Sequence, residues 1–490
     1  MNKRNKQKNN NENASGNAPV TYPEILKDSK NRVGLSIIAC LIAIGLIAFL
    51  VSSGTNGMLK FILSMIILGI NGVALKYLLG MEGEFGLLLF RLKNGDKGIE
   101  KLWKIFGKYW NNLTDIGLVM GFGLTSKLGF KHINNKNFGI GVICILFSVV
   151  VLGFSGVIAI SLMNIPLESL MQNIRSASSI PYLSYISLAI TIVFGVVGFA
   201  IFSIVMNAGQ ILASIVAYLL GDTTALAASS PGVYPVLPYF TIPLFEGLIA
   251  MLVLMVVHEG SHGISALISK IKLKSTGLIT LGFIPVGAFV DIDEKQLDKG
   301  KKIDNARVSV AGSAANMFVA FIFFIPTIAM LLAMPAFQEQ VITVTGTIKN
   351  LTYTGDALPI GTKIYFINGT QISNVSQYSD LMDSFKSGEA IMLSTDKGTT
   401  ETKLIIDGQP GFSVAQPLKS EFWYLKPIYA TLGLITVLNL LVGIINLLPL
   451  PAFDGHRLFK LIFKKEKVVT AITAIIVVAF LMNIVPWIWQ

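Results

Sequence analysis

The chain has 490 residues, 53% of them hydrophobic and only 14% charged. Soluble domains usually carry about 25% charged residues, so a water-soluble enzyme of ordinary composition is excluded. The formal charge of +11 lies between long apolar blocks, a pattern that favours an anionic membrane surface over nucleic acid. Cys40 and Cys144 both sit inside apolar runs, which leaves no disulfide framework and no cysteine zinc cage. The expected fold class is a polytopic α-helical membrane protein.

Residues 1–32 form a basic Asn/Lys-rich tail without an apolar period, expected to be disordered. Runs at 35–53 and 57–80 are each long enough to cross about 30 Å of hydrocarbon. Across 81–138, basic residues interleave with Leu, Phe and Trp at helical spacing, which predicts a cytoplasmic, interfacial amphipathic helix. Residues 139–163 span again. The 183–220 stretch is apolar over 38 positions and suits one long helix, two short ones or a re-entrant pair. These segments make 33–220 an N-terminal membrane region.

Four more membrane elements follow: 241–269 with HEGSH, 306–334 with AGSAAN, 424–450 ending in NLLPLP, and 468–489. Gly/Pro punctuation and alternating β-branched residues in 275–293 predict a hairpin against the membrane. Its edge offers a strand for an extended peptide. Residues 221–335 and 424–490 are thus two halves of a helical core. The inserted segment 336–423 holds the predicted soluble, β-rich domain, with runs VITVTGTI, TKIYFING and AIMLST.

Loop charge orients the chain. The tail carries seven basic and three acidic residues, whereas 336–423 carries six basic and nine acidic. Segments 81–138, 270–307 and 455–467 are all net basic. The basic segments are expected in the cytoplasm and the inserted domain outside. Helix 241–269 then runs inward with HEGSH in its inner half, and 183–220 must start and finish outside.

Chemistry concentrates in few residues. The chain has four histidines, and His258 and His262 stand four apart, on one face of a helix. Two imidazoles at that spacing suit one Zn²⁺, with Glu259 between them placed to deprotonate its water. A catalytic zinc needs a third protein ligand and an open position. His132, in a basic loop, reads as a solvated interface residue. Asp454 and His456 lie in PAFDGHRLF at the inner end of another apolar helix. There Asp454 is equally a ligand candidate and a turn-forming Asp-Gly. The small residues Gly312 to Ala315 read most simply as close helix packing, while the Asn316 amide, among apolar neighbours, needs a partner. Asn350, Asn368 and Asn374 stand in Asn-x-Ser/Thr strings of the external segment.

These motifs together resemble the site-2 protease family of intramembrane zinc metalloproteases. HEGSH is similar to its HExxH helix, and NLLPLPAFDGHR (446–457) to its second signature. AGSAAN (311–316) resembles its small-residue helix, FIPVGAFVD (283–291) its following loop, and GTKIYFINGTQI a PDZ core. The resemblance covers about 241–490. It implies one Zn²⁺ per chain on His258, His262 and Asp454, with Glu259 as general base. It also implies that Asn316 and Asn446 bear on substrate or oxyanion binding. The expected activity is endopeptidase cleavage of transmembrane protein substrates within the lipid bilayer, with the active site toward the cytoplasm and the PDZ-like domain outside. Two departures stand out: the insert lacks a recognisable Gly-rich carboxylate-binding loop, and residues 1–220 exceed the common core. The rival reading is a catalytically silent, membrane-embedded client binder of the same fold. A metal transporter is disfavoured by the lack of repeated halves with broken helices. The sequence leaves the oligomeric state open.

Overall fold

A computed structural model describes residues 29–53, 57–92, 95–162, 181–227, 229–234, 236, 241–347, 358–404, 408 and 410–489. Most of the basic tail, residues 1–28, and Asn350 lie outside the described residues. The chain divides into two compact units, residues 1–100 with 273–292, and the remainder. Among the described residues, eight helices are long and apolar enough to cross a membrane. They coincide with the eight apolar runs read from the sequence.

In the first unit, helices α1 (Ser29–Ser52) and α2 (Gly57–Leu79) accompany a four-stranded antiparallel sheet. The Asn71 side chain of α2 donates its Nδ2–H to the Ala39 carbonyl of α1 at 3.0 Å, which ties the two helices together. The sheet runs in order β1 (Glu82–Glu84), β2 (Leu87–Arg91), β3 (Leu273–Leu281), β4 (Ile284–Ile292). The hairpin expected at 275–293 therefore forms, but it is not free-standing. β2 pairs along one side of β3, and β4 is the last strand of the sheet. Gly86 turns the chain between β1 and β2 with φ of 84°. Gly72 lets α2 approach that turn, since a Cβ there would collide with the Gly86 backbone.

The second unit is a helix bundle carrying a β-rich insert. Its longer helices are α3 (Gly95–Phe122), α4 (Asn135–Leu162), α5 (Pro181–Leu219), α6 (Leu244–Ile268), α7 (Lys302–Ala333), α8 (Val375–Met382), α9 (Leu425–Ile445), α10 (Asp454–Ile462) and α11 (Glu466–Met482). At the centre, α6 and α9 both run antiparallel to α7. A Cβ at Gly443 near the end of α9 would lie 3.0 Å from the Ser313 carbonyl near the start of α7. Further along, Thr327 and Thr436 hydroxyls meet at 3.2 Å, both fully buried. The main core gathers Ile116, Leu118 and Val119 of α3 with Val310, Ala314 and Met317 of α7 and Leu440 of α9. Phe147 of α4 adds edge-on contacts to Phe321 and Phe324, a geometry the ring quadrupoles favour.

The amphipathic helix expected over 81–138 is confined to α3. Residues 82–91 are strands, because Gly83 and Gly86 both take positive φ and break any helix there. The long 183–220 run is a helix interrupted at Gly195, where φ 70° and ψ −170° leave the helical region. A Cβ at Gly198 would lie 3.4 Å from Ile190, so the two halves meet at a sharp bend.

The insert is an antiparallel sheet in order β10 (Phe412–Ala415), β5 (Ile342–Thr347), β6 (Lys363–Ile367), β8 (Ala390–Thr395), β9 (Gly398–Lys403), with β7 (Thr370–Gln371) pairing β6. Its own core includes Ile342, Val344, Ile364, Ile367, Ile391 and Leu393. α8 closes the insert, capped by the Asn374 side chain accepting from Gln377 N–H at 2.9 Å. The Lys363 ammonium meets Glu339 at 2.7 Å, and this partner raises its pKa.

Candidate active site

α6 begins after Pro243, carries Glu246 in its first turn and is then apolar from Leu248 to Val257, just before His258. Beyond it the helix turns small and polar: Ser261, Gly263, Ser265 and Ala266 are all buried. Small side chains let a neighbouring helix lie close to the imidazoles, and that neighbour is α7. Three successive turns of α7 face the site through Val308, Gly312 and Asn316.

Each turn does something different. The Val308 carbonyl accepts the His262 Nδ1–H at 2.7 Å, which leaves Nε2 as the free lone pair. Gly312 provides clearance: a Cβ there would lie 2.6 Å from His258 Cε1, His258 Nε2 and His262 Nε2. The Asn316 amide, completely buried, meets His258 Nδ1 at 3.1 Å. Its oxygen has no hydrogen bond among the described residues when the nitrogen is turned to the ring. Exchanging O and N of that amide makes Oδ1 accept His258 Nδ1–H, and the second Nε2 lone pair is then free as well.

The third side chain arrives from the far end of the sequence. α9 stops at Ile445, and the chain NLLPLPAF turns back, closed by Gly455 N–H donating to the Asn446 carbonyl at 2.8 Å. Gly455 is pressed against this turn, where a Cβ would collide with the Leu447 and Leu448 carbonyls. Asp454 thereby opens α10 with its carboxylate at a helix N-terminus, a favourable place for negative charge. Its Oδ2 lies 3.2 Å from His258 Nε2 and 3.2 Å from His262 Nε2, and the two nitrogens are 3.2 Å apart. Burial pushes the Asp454 carboxyl up, but His262 and His258 outweigh it and hold it well below the usual carboxylate range.

Three donor atoms thus form an equilateral triangle. Tetrahedral zinc with bonds of about 2.0–2.1 Å separates its ligand atoms by about 3.3 Å. The triangle fits three corners of that tetrahedron and leaves the fourth for water. Asp454 Oδ2 faces both Nε2 atoms and no other partner among the described residues, so the three atoms could together hold a metal ion. Side-chain exposures of 10%, 13% and 25% for His258, His262 and Asp454 leave the site reachable rather than sealed. These three form the metal-capable group found among the described residues.

The other residues singled out in the sequence fall as follows. Glu259 is half-buried beside His258, and its charge acts on His262 three positions on. Asn446 enters through its backbone carbonyl, which closes the turn that delivers Asp454. His456 lies on α10 with a buried Nδ1 that lacks a partner among the described residues. His132 is not a solvated surface residue. Its Nε2 lies 3.2 Å from the buried carboxylate of Asp115 on α3. Val308 escapes sequence reasoning because it acts through its backbone, whereas Gly312, read as close helix packing, gives its clearance to the two imidazoles.

Comparison with known proteins agrees with this geometry. Over 245 residues the chain is 30% identical to an uncharacterized protein of Methanocaldococcus jannaschii, a match covering 49% of this chain and 63% of that relative. Residues 246–484 match the profile of peptidase family M50, a stretch that contains all three triangle residues, Glu259, Asn316 and Asn446. The chain thus carries a segment, just under half its length, that is similar to peptidase family M50, the site-2 protease family.

Proposed function

We propose that this protein is an intramembrane zinc endopeptidase that cuts transmembrane protein substrates, with one Zn²⁺ held by His258, His262 and Asp454. The observation that carries this reading is the 3.2 Å triangle of donor atoms, two of them on the helix turn that also carries Glu259. Zinc bound there supplies Lewis-acid polarisation of a water and of the scissile carbonyl. The chain's own residues do the rest. Val308 and Asn316 hold the two imidazoles in the ligating tautomer. Glu259 takes a proton from the attacking water and returns it to the departing amine. Burial of the site in a bundle of membrane-length helices calls for substrate that is itself apolar and locally unwound, because only extended backbone presents its carbonyl for attack.

In the same reading the trio faces the cytoplasm, as the basic loops around it favour, and the insert lies outside. We read the insert, 336–423, as PDZ-like: GTKIYFINGTQI falls on β6, its turn and β7, and α8 follows. The rival reading, a silent client binder of the same fold, lacks a reason to keep Glu259 beside an intact ligand set.

A purified full-length protein and a single-span helix reporter test the proposal. The expected result is cleavage inside the span by product mass, abolished by chelator and restored by zinc. Client association without cleavage under zinc-replete conditions would favour the silent binder.

A further inference from the structure

Asp115 is one of the most deeply buried acids of the described chain, 3% exposed, and it lies outside the stretch that matches the family. Arg307 clamps it with both arms: Nε donates to Oδ1 at 2.8 Å and a terminal nitrogen to Oδ2 at 2.9 Å. His132 adds a third contact to Oδ1 at 3.2 Å. Such a fork fixes direction as well as distance, and a half-satisfied charge at this depth would be strongly destabilising.

The clamp grips α7 at the turn that faces the metal-capable trio. Arg307 precedes Val308, whose carbonyl orients His262. The Arg307 carbonyl itself accepts the Ser265 hydroxyl of α6 at 3.3 Å. Two consecutive carbonyls of α7 thus hold α6, while the Arg307 side chain is anchored on Asp115 of α3. Packing follows the same line: a Cβ at Gly117 would lie 3.5 Å from Val310, and α3 and α7 share one core.

We infer that Asp115 is a positioning residue for the metal centre: through Arg307 it sets the α7 turn whose Val308 carbonyl fixes the His262 imidazole. The inference rests on the zinc site proposed above. It gives part of the N-terminal membrane region, α3 and the loop bearing His132, a defined task in a centre whose ligands all lie elsewhere.

The test uses the full-length protein in detergent, with zinc affinity from chelator competition, the d–d spectrum after Co²⁺ loading, and the thermal midpoint of the metal-free form. Asp115→Asn is expected to lower zinc affinity about tenfold, within the range seen for outer-shell partners, and to shift the cobalt bands. In the reporter assay kcat should fall while KM holds. Arg307→Lys keeps the charge but loses the fork, and should act in the same direction. It decides the matter if Asp115→Asn does not fold. His132→Gln, which leaves the fork intact, should cost only about twofold. Unchanged zinc affinity and cobalt spectrum in the folded variants, with only a lower thermal midpoint, would overturn the inference and leave the protease reading standing. A wild type that binds zinc but cuts nothing would do the reverse.

Discussion

At the scale of single residues, the site depends as much on a missing side chain as on the ones present. Ala is normally preferred to Gly in a helix interior by about 1 kcal/mol, but at Gly312 the crowding of the two imidazoles offsets that gain. Gly312→Ala should therefore cost the metal-free protein no more than about 1–3 kcal/mol. Zinc affinity should nonetheless fall at least about tenfold, because the new methyl would stand 2.6 Å from both Nε2 atoms. Calorimetry with zinc competition separates the two effects, and undiminished zinc binding would refute the clearance role. Asn316 offers a second separation. Its amide touches His258, so Asn316→Ala should weaken zinc by about 10–100-fold. Full zinc occupancy with a lowered kcat would instead assign it to the oxyanion.

At the scale of elements, the NLLPLPAF turn and the Asp115 clamp are the two structures that bring distant segments to the trio. The Asp-Gly pair makes the turn, with Gly455 pressed against its carbonyls, and that turn brings Asp454 to the imidazoles, where the ligand role proposed for it can operate. Gly455→Ala should cost about 1–3 kcal/mol by overpacking and release zinc, since its Cβ meets backbone that has nowhere to go. Retained zinc in a folded variant would show that the turn tolerates the shift. For Asp115, burial raises the carboxyl pKa, but His132 and Arg307 outweigh that and lower it. A carboxyl whose native pKa lies below its unfolded value of about 3.9 contributes its stability above that value and loses it as pH falls through the native one. The midpoint gap between metal-free wild type and Asp115→Asn should therefore persist near pH 5 and close below about pH 4. A gap that stays open in acid would argue against the ion pair.

At the scale of the whole molecule, the sidedness of the loops is the feature most in need of a direct measurement. With Cys40 and Cys144, both free, replaced by alanine, single cysteines report which side each loop faces. Asp222→Cys and Lys397→Cys should react with an impermeant maleimide in intact cells, and Lys464→Cys only after permeabilisation. Internal labelling at 222 alone would make the helix broken at Gly195 a simple span and reverse the inward direction assigned to α6. Much of this architecture was legible in the sequence, because crossing a bilayer imposes a length and composition that show in any one segment. Adjacent motifs such as His258-Glu259 and His262 were legible for the same reason: helical period puts them on one face. What was not legible depends on pairings far apart in the chain. Residues 82–91 read as part of an amphipathic helix because nothing local announces that β2 will meet β3. His132 read as solvated because its partner Asp115 is fixed by Arg307, 192 positions away. Val308 was invisible because its contribution is a carbonyl common to every residue.

The central claim is that His258, His262 and Asp454 hold zinc and Glu259 moves the proton. It is tested most directly by measuring bound zinc and reporter cleavage together on wild type and on Glu259→Gln. The account predicts about one zinc per chain in both proteins and cleavage in wild type alone, with Glu259→Gln reduced at least about 100-fold. Absence of zinc from wild type after purification in zinc-replete buffer, or undiminished cleavage by Glu259→Gln, would contradict it.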